Sequence, residues 1–107
     1  MAYESGALDA TLAAATGGDS TLIGELRSAF LESAHRQLDL LRRSRCDGNW
    51  NVAALRLKGL AASFHAEELV HASEYALASA PGEPAAIRRI EAVLARFGPD
   101  RSPATPR

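Results

Sequence analysis

Trp50–Phe64, WNVAALRLKGLAASF, is the stretch on which the reading of the whole chain hangs. On a helix turning about 100° per residue, Trp50, Ala54, Leu57, Ala61 and Phe64 share one stripe, the spacing of an apolar face turned to a core. The opposite face carries Asn51, Leu55, Lys58, Gly59 and Ala62. A face meant only for water would be charged and free of glycine, since a mid-helix Gly costs roughly 1 kcal/mol relative to Ala. Here a glycine stands beside a lone lysine and two apolar residues, one of them a leucine pointing away from the core stripe. The plain account is an amphipathic helix with a loosely patterned outer face. The convergence of these oddities on one face favours a surface built for close approach by another.

Working outward, the segment before this helix, Cys46-Asp47-Gly48-Asn49, has the composition of a turn. Upstream of it a long helix is expected over about Thr21 to Arg45, capped by Asp19 or Ser20. Its inward stripe is Ile23, Leu26, Phe30, Ala34, Leu38 and Leu41; Glu25, Ser28, Glu32, His35, Arg36, Asp39 and Arg43 face water. A short helix over residues 5 to 16 precedes it, with Ser5 as cap, Leu8, Leu12 and Ala15 inward, and Gly17-Gly18 as its end. Downstream, His65 lies at a junction. A helix over about Ala66 to Ser79 turns Ala66, Leu69, Ser73, Leu77 and Ala80 inward and is broken by Pro81-Gly82. Pro84 suits the first turn of a last helix, which buries Ile87, Ile90, Leu94 and Phe97 and stops at Gly98-Pro99. No strand pattern or internal repeat interrupts this series. The expected architecture is all-α: an up-down-up-down antiparallel four-helix bundle with a short extra N-terminal helix. Small inward residues (Ala34, Ala54, Ala61, Ala66, Ala80) allow close packing. The expected domain covers residues 1–98, and 99–107, rich in proline and charge, is expected to be a disordered tail.

Composition narrows the function classes. At 107 residues the chain makes one domain. A hydrophobic fraction of 47% with 23% charged residues predicts a folded globular chain. The net charge is −1 with both signs interspersed, so the clustered positive charge of a nucleic-acid binder is missing. No apolar run is long enough for a transmembrane helix, and MAYESGALDA lacks the basic and apolar regions of a secretory signal. One cysteine, Cys46, forms no internal disulfide and fits a reducing, cytoplasmic setting, where it is expected to be a passive thiol. Every basic residue other than Lys58 is arginine, which marks position 58 as one that wants a compact ammonium.

The sequence gives little support to metal or covalent chemistry. Glu32-x-x-His35 and Glu68-x-x-His71 have the spacing of di-iron carboxylate ligands, but both pairs project outward, and the third helix offers no bridging carboxylate. Cys46 has no histidine near it in sequence, and there is neither a strained serine turn nor a glycine-rich phosphate loop. The expectation is a binding protein without metal or cofactor, not an enzyme.

Residues Ala54 to Leu69, ALRLKGLAASFHAEEL, resemble the signature of histidine-containing phosphotransfer (HPt) domains: Ala-His-x-Leu-Lys-Gly, a run of small residues, then Gly-Ala and a leucine three further on. Ala54, Leu57, Lys58, Gly59, Ala66 and Leu69 match, and Trp50 matches an aromatic often found just upstream. The likeness extends in helix order and length over about Leu8 to Phe97. It implies the four-helix bundle with its N-terminal helix, a place in a bacterial two-component phosphorelay, a response-regulator receiver domain as partner and, more remotely, a sensor histidine kinase. In such a protein Lys58 would help neutralise a phosphoryl group and Gly59 would let the receiver come close.

Two departures change what the resemblance implies. The family's phosphoaccepting histidine falls at Leu55, which has no nitrogen lone pair to attack phosphorus. At His65 the family usually has glycine; this histidine is ten residues, or about 15 Å of helix rise, from Leu55, so a turn residue is expected rather than a relocated phosphoacceptor. His35 and His71 are expected to be ordinary exposed histidines. The expected function is therefore an HPt-like adaptor or inhibitor that binds a receiver through Asn51, Leu55, Lys58, Gly59 and Ala62 but carries no phosphate. Burying one leucine at such an interface is worth about 1.5–3 kcal/mol. The alternatives are a homodimer paired through the Leu55/Gly59 face, and a phosphocarrier whose histidine has been replaced in this sequence.

Overall fold

The computed structural model describes residues 4–98, and the side chains from residue 6 onward. The expected tail lies outside these residues. Among the described residues five helices follow one another: α1 (Glu4–Thr16), α2 (Ser20–Arg43), α3 (Asp47–Ser63), α4 (Glu67–Leu77) and α5 (Pro84–Phe97). There is no strand among the described residues. Helix contacts close a ring in which α2 touches α3, α3 touches α4, α4 touches α5 and α5 touches α2, while α1 rests on α2 and α5.

Each boundary has a local cause. The Asp19 carboxylate accepts from the backbone N–H groups of Thr21 and Leu22 at 2.9 and 3.1 Å, satisfying two of the free donors that open α2. Ser44 closes α2: its N–H donates to Leu41 O and its hydroxyl to Leu40 O. Pro84 sits in the first turn of α5, behind Glu83 as N-cap. Several expectations are corrected. Ser5 is already helical, so it does not cap α1. Asp47, Gly48 and Asn49 form the first turn of α3 rather than a loop, because the Trp50 N–H already donates to Cys46 O at 3.1 Å. α2 ends two residues before the expected Arg45, and α4 ends at Leu77. Ala15 and Ala80 are exposed, not inward.

The core gathers one stripe from every helix: Leu8 and Leu12; Phe30, Ala34, Leu38 and Leu41; Trp50, Ala54, Leu57 and Ala61; Leu69 and Ala76; Ile90, Leu94 and Phe97. Ile23, Leu26, Phe64, Leu77 and Ile87 are only partly buried and pack around its edge. Each large aliphatic or aromatic side chain withdrawn in this way contributes about 1.5–3 kcal/mol. Phe30 packs against Phe64 with the rings tilted and 4.8 Å apart and meets Phe97 edge-on at 6.1 Å, tying α2, the end of α3 and the end of α5 together. Two polar groups deep in the core are satisfied: Trp50 Nε1–H donates to Ala76 O at 2.7 Å, and the Ser73 hydroxyl to Leu69 O at 2.8 Å. Arg27 pins α1 and α5 to α2 by donating to Asp9 at 2.7 Å and to the Phe97 carbonyl.

The outer face of α3 as candidate functional site

The core stripe of α3 decides what its other side shows. With Trp50, Ala53, Ala54, Leu57 and Ala61 buried, the helix turns Asn51, Leu55, Gly59 and Ala62 into solvent. Leu55 is the most exposed large hydrophobic residue among those described, at 54%. One turn further on, a Cβ added to Gly59 would meet nothing within 4 Å. No neighbouring side chain or helix inside the molecule requires a glycine there. The Gly59 carbonyl is used locally, accepting from the Ser63 hydroxyl at 2.9 Å.

Lys58 is not free on this face. Its ammonium lies 3.3 Å from a Glu74 carboxylate oxygen on α4, with the lysine side chain 40% exposed. The bond to Lys58 holds the Glu74 carboxyl below the usual glutamate range, against a smaller opposing effect of burial. His71 adds to the same cluster, its Nδ1 3.5 Å from the other Glu74 oxygen. Lys58 therefore has a carboxylate already in hand, and a phosphoryl or carboxylate group arriving from outside would compete with Glu74 for it.

His65 has a structural position of its own. Its φ of +57° makes it the only described residue other than glycine in the left-handed region. Its N–H donates to Ala62 O at 3.1 Å, and the Ala66 N–H to Ala61 O at 2.8 Å. These two bonds are the Schellman closure of a helix C-terminus, whose left-handed residue is usually glycine. Ala61 and Ala66, both fully buried, supply the apolar contact that accompanies it. His65 is exposed and ends α3.

The two Glu-x-x-His pairs do not gather. Glu68 is held by Arg96, with the closest approach 2.7 Å, while His71 faces Glu67 and Glu74. His35 departs from expectation: it is half-buried, and its Nε2 is shut off from solvent with no hydrogen-bond partner. Among the described residues no group of three His, Cys, Asp or Glu side chains could hold a metal ion. Cys46 is an exposed free thiol at the N-cap of α3.

Three residues missing from the sequence reading belong beside this face. Val52, 46% exposed, lies one turn before Leu55, and Arg56 is its neighbour on the next turn. Leu40 of α2, 36% exposed, lines a groove with Val52. The i, i+3 spacing of Val52 and Leu55 was legible; the approach of Leu40 needed the packing of α2 on α3. Compared with protein-family models, with curated proteins and with solved structures, the chain finds no match. Among the described residues no helix is long and apolar enough to cross a membrane.

Proposed function

We propose that this chain is a relative of the HPt domains, with leucine in place of their phosphoaccepting histidine, that docks a response-regulator receiver domain on the outer face of α3 and takes no phosphate. One observation carries the reading: an exposed leucine and an unobstructed glycine stand one turn apart at the centre of a long helix, where neither serves the chain's own packing. Water alone gives no reason for either. A partner surface that seats Leu55 and comes close over Gly59 accounts for both.

The up-down-up-down bundle belongs to the same proposal. It is supported by bonds that join the start of one helix to the end of the next: Trp50 to Ala76 O, and Glu68 to Arg96. Arg27 to Phe97 O and Arg42 to Glu91 give the same sense for α2 against α5. Asn51, Leu55, Gly59 and Ala62 would meet the receiver, with Lys58 at the edge, shared with Glu74. Leu55 excludes phosphoryl transfer at this position, because its side chain carries no nucleophilic atom. A receiver held here is sequestered or positioned, not relieved of its phosphate.

The test is paired. The protein and a Leu55→His variant are incubated with receiver domains from the source organism and a phosphodonor, and both binding and acid-labile phosphate are recorded. Binding by both, with phosphate on the histidine variant alone, is the expected result. Failure of every receiver to bind overturns the docking role. Self-association is the second reading, favoured by the joint exposure of Val52 and Leu55; it predicts a mass that rises with concentration and is restored to the monomer by Leu55→Glu.

A further inference from the structure

We propose a second docking site, adjoining the Leu55/Gly59 face but built from other residues: the groove between the C-terminal end of α2 and the first half of α3, which takes an acidic protein segment carrying an apolar anchor. The groove has a volume of about 450 Å³, within the range of about 300–1,000 Å³ over which clefts hold compact groups. Leu40 and Val52 form its apolar walls and Ala53 contributes its buried side to the floor. Arg43 and Arg56 line it as well, and no carboxylate does.

The two guanidinium groups define the occupant. Arg56 is exposed and, like Arg36, Arg45, Arg88 and Arg89, has no acidic partner among the described residues, but of these five it is the one that lines the groove; Arg27, Arg42, Arg96 and Lys58 each hold a carboxylate across helices. Arg43 reaches only Asp39, 3.0 Å away on its own helix, with both side chains more than half exposed. Such an exposed pair is weak, so a carboxylate from outside can take the arginine. Guanidinium groups bind carboxylates as a planar fork, which fixes orientation as well as charge. The α2 carbonyl ends do not cancel the site, since Ser44 already caps Leu40 O and Leu41 O. An apolar side chain seated between Leu40 and Val52, with carboxylates flanking it to reach Arg43 and Arg56, matches the apolar walls and the two arginines of the groove. A second copy of this chain is disfavoured, because symmetric pairing through this groove would face arginines with arginines. The site does not depend on the receiver reading, and its key residues Leu40, Arg43 and Arg56 lie outside the five assigned to that face.

The experiment is a titration of the full chain, with its leucine and valine methyl groups isotopically labelled, by a short capped peptide of Glu-Glu-Leu-Leu repeats. Two controls replace every Glu by Lys or every Leu by Ser. The Glu/Leu peptide is expected to shift the Leu40 and Val52 methyl signals, and Arg56→Glu to weaken this by about tenfold or more, as does raising the salt well above physiological strength. Arg56 is exposed, so the variant is expected to keep its helix content by circular dichroism; Arg56→Lys, which keeps the charge without the fork, should fall between. Equal binding of the Glu and Lys peptides, shifts that bypass Leu40 and Val52, or no shift at all would overturn the proposal. Methyl shifts that move with protein concentration alone would assign the groove to a second copy and overturn it too. Loss of receiver binding in Leu55→Glu or Gly59→Ala, with peptide binding intact, would separate the two sites.

Discussion

Replacing Gly59 by alanine should move stability and binding in opposite directions. The residue lies in the interior of α3, where glycine is about 0.8–1.0 kcal/mol less favourable than alanine, mostly through the freedom it regains on unfolding. The usual reason for retaining it, a neighbour too close for a Cβ, is absent: nothing lies within 4 Å of the position the methyl would take. The free protein should therefore gain close to the full difference. For a domain of this size 1 kcal/mol corresponds to about 4–8 °C in Tm. A urea melt should show the midpoint rising with an unchanged slope. A receiver packed against the same position would meet a methyl where it needed space, and overpacking costs about 1–3 kcal/mol, a loss of binding on the order of tenfold or more. Gly24 supplies the control. It is also helical, exposed and open to a Cβ, but it lies on α2, so Gly24→Ala should stabilise without touching receiver binding. If Gly59→Ala destabilises while Gly24→Ala stabilises, the outer face of α3 is not the open surface described. If both stabilise and receiver affinity is unchanged, nothing comes close over Gly59 and the docking argument fails at its main support.

Other substitutions probe the scaffold beneath that face. His65→Gly should stabilise by about 0.5–1 kcal/mol, since a side chain at φ +57° costs about 1–2 kcal/mol and part of that is returned as extra freedom of the unfolded chain; a loss of stability in denaturant would mean that the imidazole makes a contact worth more than the strain. Trp50→Phe removes the bond to Ala76 O and leaves part of the indole's volume empty in the core, so denaturation should show a loss of about 2–4 kcal/mol. The Glu74 carboxyl titrates below the ordinary glutamate value because of Lys58. Its contribution is present above the unfolded value of about 4.3 and is lost as the pH falls through the lower folded value; the effect on stability is small because the pair is exposed. Lys58→Met should raise the Glu74 titration midpoint, read by carbon NMR of the side-chain carboxyl, and an unmoved midpoint would mean that the ion pair does not form in solution.

How far the sequence carried the fold depended on where helical phase could be read. Within α2, α3 and α5 the period held over several turns, and Phe30, Leu38, Leu57, Ile90 and Leu94 are all buried as it required. Phase fails at ends. Ala80 looked inward only by extending the α4 stripe past Leu77, where the helix stops. Asp47-Gly48-Asn49 has turn composition, yet an acidic residue also suits the first turn of a helix, where it meets the positive end of the peptide dipoles, and that context won. A single-line stripe also undercounts burial: Leu31, Ala53, Ala72, Ala86 and Val93 flank the lines drawn and are buried with them, because a core-facing stripe is wider than one row of residues. The outer face of α3 was legible because it is the complement of a strong core stripe on the same helix. Glu74 and Leu40 were not. Their place beside Lys58 and Val52 depends on which helices pack together, and no local pattern in either residue's own helix encodes that.

The exposure of Leu55 is not a looseness that α3 could relieve by turning. The helix is held in rotation at both ends. Near its start the Trp50 indole is buried and hydrogen-bonded to Ala76 O; at its end the Schellman bonds from His65 and Ala66 fix the last turn over the buried Ala61–Ala66 contact. Between them Ala53, Ala54, Leu57 and Ala61 are close to fully buried. Rolling the helix far enough to cover Leu55 would bring Leu57 or Trp50 into water, at about 1.5–3 kcal/mol for each large side chain uncovered, and would break a buried hydrogen bond as well. Nor does helix propensity require leucine at this place, because arginine, lysine, glutamine and glutamate form helices nearly as well. Leu55 is thus held in solvent by a scaffold that does not use it, one turn from a glycine that the scaffold does not need. The proposed docking accounts for the pair through contact with a partner, and the binding experiments on these two positions, rather than any measurement of folding, are the ones that test it.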